Sequence, residues 1–263
     1  MSLPSATVRE LADHVLRAQL DAAPIPMLTN SHGALSVDDG YAVQNALRQR
    51  YLDAGHRLFG WKAGLTSRAK MRQMGVDQPS VGFITDRMSV PQGTAVRVAD
   101  HVHPRVECEI AFVLARDLPT DGCTTDDVLS ATAFVVPAIE IIDSRFENFR
   151  FDLPSVIADN SSSARFVLGG NGRRLDSISS RTTLGVALVK NGEVMATGAS
   201  AAVLGDPAAS VALVANLVGA LGCRIEAGMT VLSGGITAAF AVQPGDVVSA
   251  RFQELGVVDV RFT

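Results

Sequence analysis

The sequence predicts an α+β fold: a mainly helical N-terminal lobe over residues 1–78, then a curled mixed β-sheet domain over residues 79–263. Three observations predict it. Apolar residues recur at a helical period near the N-terminus. From about residue 80 the chain breaks into short β-branched runs bounded by Gly, Pro and Asn. Those runs do not alternate regularly with helices, which argues against a doubly wound sheet.

The elements follow in order. Residues 5–22 place Val8, Leu11, Val15 and Leu20 near a 3.6-residue period, with Glu10, Asp13 and Arg17 free for solvent. A second helix starts at Ser36, where Ser-Val-Asp-Asp forms a capping-box pattern with Asp in place of Glu, and stops at Gly55. A shorter helix is expected after Thr66-Ser67, ending at Gly75. Strands are expected at Val106–Leu114, Phe134–Asp143, Arg165–Leu168 and Leu184–Lys190. Asn191-Gly192 between VALVK and EVMAT is a two-residue hairpin signal. Further strands are expected at Met229–Ser233, Ala238–Val242, Val247–Phe252 and Val257–Phe262, with helices intervening at Thr125–Ala131 and Pro207–Leu221.

Composition excludes several classes. With 47% hydrophobic and 19% charged residues among 263, the chain can bury a substantial core and is not disordered. Lys plus Arg is 23 against 27 Asp plus Glu, a formal charge of −4, so no global field favours nucleic acid or an anionic membrane. Three scattered cysteines make neither a disulfide framework nor a thiolate zinc site. The N-terminus lacks the apolar core of a signal peptide, and the uncharged stretch between Asp206 and Arg224 is short and Ala/Gly-rich, a core helix in preference to a membrane span. A cytoplasmic protein acting on a small molecule is the expectation.

The residues able to do chemistry fall in four segments. In Pro104-Arg105-Val106-Glu107-Cys108-Glu109, the two glutamates are two apart in a strand and share a face, with Cβ atoms roughly 6–7 Å apart. Alone, such a pair reads as a solvated edge. Glu140, however, stands inside the apolar run VVPAIEII, where an unpartnered charge costs several kcal/mol. If the two strands are neighbours, three carboxylates converge and require a cation, and an all-oxygen set suits Mg²⁺ or Mn²⁺. His101 and His103 invite a zinc site, but they lie outside the strand and read better as loop histidines. Lys62 is the sole charge in FGWKAG, either a snorkelling lysine or a desolvated one able to hold an anion or move a proton. Asp159–Phe166 offers an amide, three serines and Arg165, as an Asx or Ser turn or as a carboxylate clamp. Ser233–Ala239 is a glycine-rich turn presenting Thr237.

Together, GWKAGLTS, MGVDQPSVGF, HPRVECEIAFVL, PAIEIIDSR, DNSSSARFVLGG and SGGITAA, in this order over nearly the whole chain, resemble the fumarylacetoacetate hydrolase superfamily in its hydratase/decarboxylase branch. The run IDSRFENFRFDLPSVIADN, Arg165 and the GGITAA turn favour the decarboxylase side of that branch. The resemblance implies a fumarylacetoacetase C-terminal-like domain. It implies Glu107, Glu109 and Glu140 as ligands of Mg²⁺ or Mn²⁺, and Lys62 as the active-site lysine. Asp77 matches a polar residue near the substrate, and Ser161, Ser163 and Thr237 match the pocket wall. The implied activity is metal-dependent decarboxylation of 2-oxo-3-hexenedioate in aromatic meta-cleavage catabolism, with Arg165 recognising the C6 carboxylate. The alternatives are hydration of 2-hydroxypenta-2,4-dienoate, or a non-catalytic subunit supporting a partner hydratase. Self-association and a complex with such a hydratase are further implications. Asp206 stands where family members often carry His.

Overall fold

The computed structural model describes residues 2–33, 35–66 and 78–263. The helix expected after Thr66-Ser67 lies outside them. The N-terminal helices are α1 (Ser5–Leu20) and α2 (Val37–Asp53). The capping box of α2 forms as its sequence requires: Ser36 Oγ accepts from Asp39 N (3.1 Å), and Asp39 Oδ2 accepts from Ser36 N (3.1 Å). The helices α1 and α2 pack together through Leu11, Val15, Val43 and Leu47, all buried.

Among the described residues twelve strands make two sheets. They are β1 (Leu58–Gly64), β2 (Ser80–Thr85), β3 (Ala95–Val96), β4 (Arg105–Leu114), β5 (Thr132–Ile142) and β6 (Ser163–Leu168). β7 (Gly185–Lys190), β8 (Glu193–Ala199), β9 (Thr230–Leu232), β10 (Phe240–Ala241), β11 (Val247–Phe252) and β12 (Gly256–Phe262) complete them. The larger sheet runs β2-β1-β9-β4-β5-β6, with β10 beside the start of β4. Every pairing in it is antiparallel except β1 with β9. The smaller sheet runs β3-β12-β11-β7-β8. Its β7–β8 hairpin turns at Asn191 (φ 53) and Gly192 (φ 89), the left-handed pair that a tight two-residue turn demands.

The larger sheet curls until its edges nearly meet. Val90, just beyond β2, donates its N–H to Phe166 O in β6 (2.8 Å). Asn160, just before β6, brackets Phe83 of β2, accepting from its N–H (2.8 Å) and donating to its carbonyl (2.9 Å). β1 therefore belongs to this sheet, although it falls within the segment assigned from sequence to the helical lobe.

Beyond β4 the described residues hold three further α-helices, α3 (Thr125–Ala131), α4 (Leu153–Ala158) and α5 (Pro207–Ala220). α4 has no counterpart among the sequence expectations, because six residues carry too short a period to detect. By length and composition the stretch Ser200–Ala220 could cross a membrane. In the fold Val211, Val214, Ala215 and Val218 of α5 are fully or nearly fully buried and join the main core, as a core helix requires. Asp206 caps α5, accepting from Ala208 N (2.9 Å) while pairing with Arg181 (2.8 Å), which gives this position a structural task.

Candidate active site

Strand register gathers the acidic residues. β4 and β5 pair so that Glu107 stands directly opposite Glu140, with Glu109 one rung further along β4 on the same face. All three are at most 8% exposed. β1 brings Lys62 to the same cluster: its Nζ lies 3.2 Å from Glu140 Oε1 and donates to the carbonyl of Ser161. Its register partner on β2 is Gly82, where a Cβ would lie 3.2 Å from Lys62 Cε and 2.7 Å from Asn160 O, so a side chain there would crowd the lysine stem.

Among the described residues Lys62 is the cation ion-paired with this cluster. Burial, then the Glu140 and Glu107 charges, push the Glu109 carboxyl well above the usual range. Burial pushes Glu140 up as well, opposed chiefly by the Lys62 ammonium. Glu109 Oε2 accepts from Gly234 N (2.7 Å), while its Oε1 is buried with no hydrogen-bond donor. Among the described residues no three His, Cys, Asp or Glu side chains stand ready-made as a metal cage. Glu140 is turned to Lys62, and Glu109 to the Gly234 amide. The donor set nonetheless fits a hard divalent ion. It offers carboxylate oxygens on one face, and Glu109 Oε1 is buried with no hydrogen-bond donor.

These groups border a cavity of about 370 Å³ lined by Lys62, Glu107, Glu140, Arg105, Phe149 and Ser162, among others. The turn before β6 forms one wall. Its residues Asn160, Ser161 and Ser162 all have left-handed backbones (φ 51, 51 and 57), costing roughly 1–2 kcal/mol each. What holds the turn is the fully buried Arg145, which binds the Asp159 carboxylate and the carbonyls of Asp143, Asp159 and Ser163. The strain delivers the Ser161 carbonyl to Lys62.

The structure redistributes several roles expected on this wall. Ser161 lines the cavity, but its Oγ lies 3.0 Å from both Ser80 Oγ and Val81 O and is already engaged. Ser163 is absent from the lining; its carbonyl serves Arg145 (3.2 Å). The unpartnered buried hydroxyl that lines the cavity belongs to Ser162. Thr237 is likewise outside the lining, and its Oγ1 accepts from Cys108 N (3.4 Å), holding the 233–239 turn against β4, while Gly235, Ala238 and Ala239 face the cavity.

Arg165 corrects a larger expectation. It is in register with Ile141, one residue along β5 from Glu140, so strand alternation turns it to the other face, where Nη1 donates to Ala164 O (3.1 Å). Among the described residues Arg105 is the guanidinium at the cavity, and its signal was legible: it stands two before Glu107 and shares its face. Asp77 lies outside the described residues. His101 and His103 are loop residues with their pKa lowered chiefly by burial, His101 Nδ1 at 2.9 Å from Arg97 O, and they form no metal cluster.

Comparison with known proteins agrees with this architecture. The family model "Fumarylacetoacetate (FAA) hydrolase C-terminal" matches residues 60–263. A Pseudomonas putida protein named 4-oxalocrotonate decarboxylase is 48% identical over 255 residues, 97% of this chain and 96% of its own. A Pseudomonas putida TodF product hydratase is 38% identical over 98% of this chain and 96% of its own. The solved 4-oxalocrotonate decarboxylase of Pseudomonas putida G7, complexed with magnesium and adipate, superposes with a TM-score of 0.96 at 45% identity, covering 100% of this chain and 99% of that one. The chain belongs to the fumarylacetoacetate hydrolase family.

Proposed function

We propose that this chain is a carbon–carbon lyase that decarboxylates 2-oxo-3-hexenedioate, also called 4-oxalocrotonate, to 2-hydroxypenta-2,4-dienoate and CO₂. The observation that carries it is the single cavity bordered by Lys62, Glu107 and Glu140, with Glu109 behind them. The decarboxylase that shares 45% of its sequence and this fold was solved with adipate, a six-carbon dicarboxylate of the proposed substrate's length.

The substrate is a vinylogous β-keto acid. When the C5–C6 bond breaks, its electron pair forms C4=C5, the C3=C4 pair moves to C2–C3, and negative charge collects on the C2 oxygen. A divalent ion held by Glu107, Glu109 and Glu140, Mg²⁺ by likeness to the solved decarboxylase, supplies a Lewis acid for that charge. Lys62, anchored by the Ser161 carbonyl, places an ammonium on the same wall, where it donates a hydrogen bond to a developing oxyanion. Apolar walls from Phe149, Phe151, Val156 and Ile142 keep water from the dienolate.

Hydration of 2-hydroxypenta-2,4-dienoate is the second reading, favoured by hydratase relatives at 38% identity. Association with such a hydratase follows from the chemistry, since the dienol product is unstable and is that enzyme's substrate; self-association and a cytoplasmic location belong to the same proposal. CO₂ release by metal-stripped protein, measured with 2-oxo-3-hexenedioate before and after adding Mg²⁺, tests the primary reading. Metal-dependent release supports it. Absence of CO₂ together with hydration of the dienol replaces it with the second.

A further inference from the structure

We propose that Arg105 binds the far carboxylate of the substrate and so selects dicarboxylates of six-carbon length; this rests on the decarboxylase reading of the site. Residues 105, 107 and 109 of β4 share one face, and Ile142 and Glu140 oppose Arg105 and Glu107 on β5. The floor of the cavity thus has two adjacent rungs, one acidic and one carrying a guanidinium, spaced roughly 6–7 Å along the strand. An extended six-carbon 2-oxo diacid anchored by C1 and C2 at the acidic rung extends four further carbons. At about 1.5 Å per bond they span roughly 5 Å after projection, which sets the terminal carboxylate within reach of the next rung.

Arg105 is prepared for an anion. Its guanidinium carbon lies 4.1 Å from the centroid of the Phe149 ring. Phe149 itself is held with φ 58, next to Asn148 with φ 56, a conformation uncommon for a bulky aromatic and one that packing must enforce. The stack fixes the guanidinium without consuming its hydrogen-bond donors, and Arg105 forms no ion pair with a described residue. The other cations nearby among the described residues are engaged or turned away. Lys62 is bound to Glu140 and Ser161, Arg145 is sealed with Asp159, and Arg165 is on the opposite face.

The chemistry fixes which kinetic constant responds. The carboxylate held by Arg105 leaves as neutral CO₂, so the contact favours bound substrate over the transition state. Loss of Arg105 therefore raises KM and spares kcat.

The test compares Mg²⁺-loaded wild type, Arg105→Met and Arg105→Lys. CO₂ release from 2-oxo-3-hexenedioate gives kcat and KM, and calorimetry gives binding of hexanedioate against hexanoate. Arg105→Met is expected to raise KM roughly 10- to 100-fold, the loss of charge-assisted hydrogen bonds, with kcat within about threefold. It is also expected to abolish the preference for hexanedioate, with Arg105→Lys intermediate. Wild-type KM in Arg105→Met, or equal weakening for both probes, overturns the inference. If wild type releases no CO₂ the decarboxylase reading fails, while the calorimetric preference still decides the role of Arg105. Should Arg105→Met not fold, Arg105→Lys and Phe149→Ala, which keep the charge but lose the fork or the stack, must raise KM; unchanged KM in both overturns the inference.

Discussion

Glu107 and Glu140 face each other across the β4–β5 pair, a placement of like charges that a sheet tolerates only with a compensating cation. Among the described residues Lys62 supplies positive charge to this cluster, its Nζ 3.2 Å from Glu140 Oε1. Glu109→Gln keeps the oxygen that accepts from Gly234 N and removes a buried charge whose Oε1 has no donor. The metal-free variant is expected to be more stable than metal-free wild type by about 1–2 kcal/mol. The stabilisation that Mg²⁺ gives wild type, about 2.7 kcal/mol at a hundredfold excess over Kd, is expected to vanish. Thermal melts with and without Mg²⁺ measure both; a Glu109→Gln protein that still gains stability from Mg²⁺ excludes Glu109 as a ligand.

Lys62→Met reverses the sign. Removing one partner of a buried pair strands Glu140 at 2% exposure, so metal-free protein should lose roughly 3–5 kcal/mol. Mg²⁺ is expected to restore part of that stability, because it supplies positive charge to the same carboxylates, but not the activity, because the ammonium is gone. Denaturant melts paired with CO₂ release separate the two effects. Full recovery of turnover by Mg²⁺ alone makes Lys62 a structural counter-ion only.

The three carboxylates proposed as metal ligands were legible because alternation along a strand is a strict rule: Glu107 and Glu109 share a face wherever β4 lies, and Glu140 is conspicuous in an apolar run. The same rule, applied to Arg165, needs the β5–β6 register, which no single strand contains, and so its face could not be read in advance. The pairing of Arg145 with Asp159 has no sequence signal, because residues fourteen apart give no local sign of meeting, although this buried pair holds the strained turn beneath Lys62. The main sheet took in β1 for a similar reason. Its parallel pairing with β9 joins residues about 170 apart, through Gly60↔Thr230, and no periodicity signals it.

That junction is the most sterically demanding point in the sheet. A Cβ on Gly60 would lie 1.8 Å from Thr230 O and 2.9 Å from Thr230 N, backbone atoms that cannot rotate aside. Gly60→Ala should therefore part β1 from β9, displace Lys62 two residues on, and leave little folded soluble protein. Gly192→Ala is the control: nothing lies within 4 Å of its Cβ, and only the left-handed φ of 89 is strained, costing about 1 kcal/mol. Circular dichroism and melting of the two variants make the comparison, and a well-folded Gly60→Ala protein contradicts the close β1–β9 approach.

Thiol chemistry offers an independent check on the interior of β4. Burial pushes the Cys108 thiol up to about 12 and Cys123 up to about 11, so neither yields appreciable thiolate near pH 8. Cys108 is 0% exposed, between Glu107 and Glu109, whose charges add to the effect. Cys223 is partly exposed. In native protein at pH 8 a thiol reagent should modify one cysteine promptly and three after denaturation. Because thiolate is the reactive form and both shifts are upward, raising the pH to 9 should leave the native count at one. Slow reaction of Cys108, where it occurs, should then follow the rate of unfolding. Rapid labelling of Cys108 in native protein contradicts the burial of the face of β4 opposite the carboxylates.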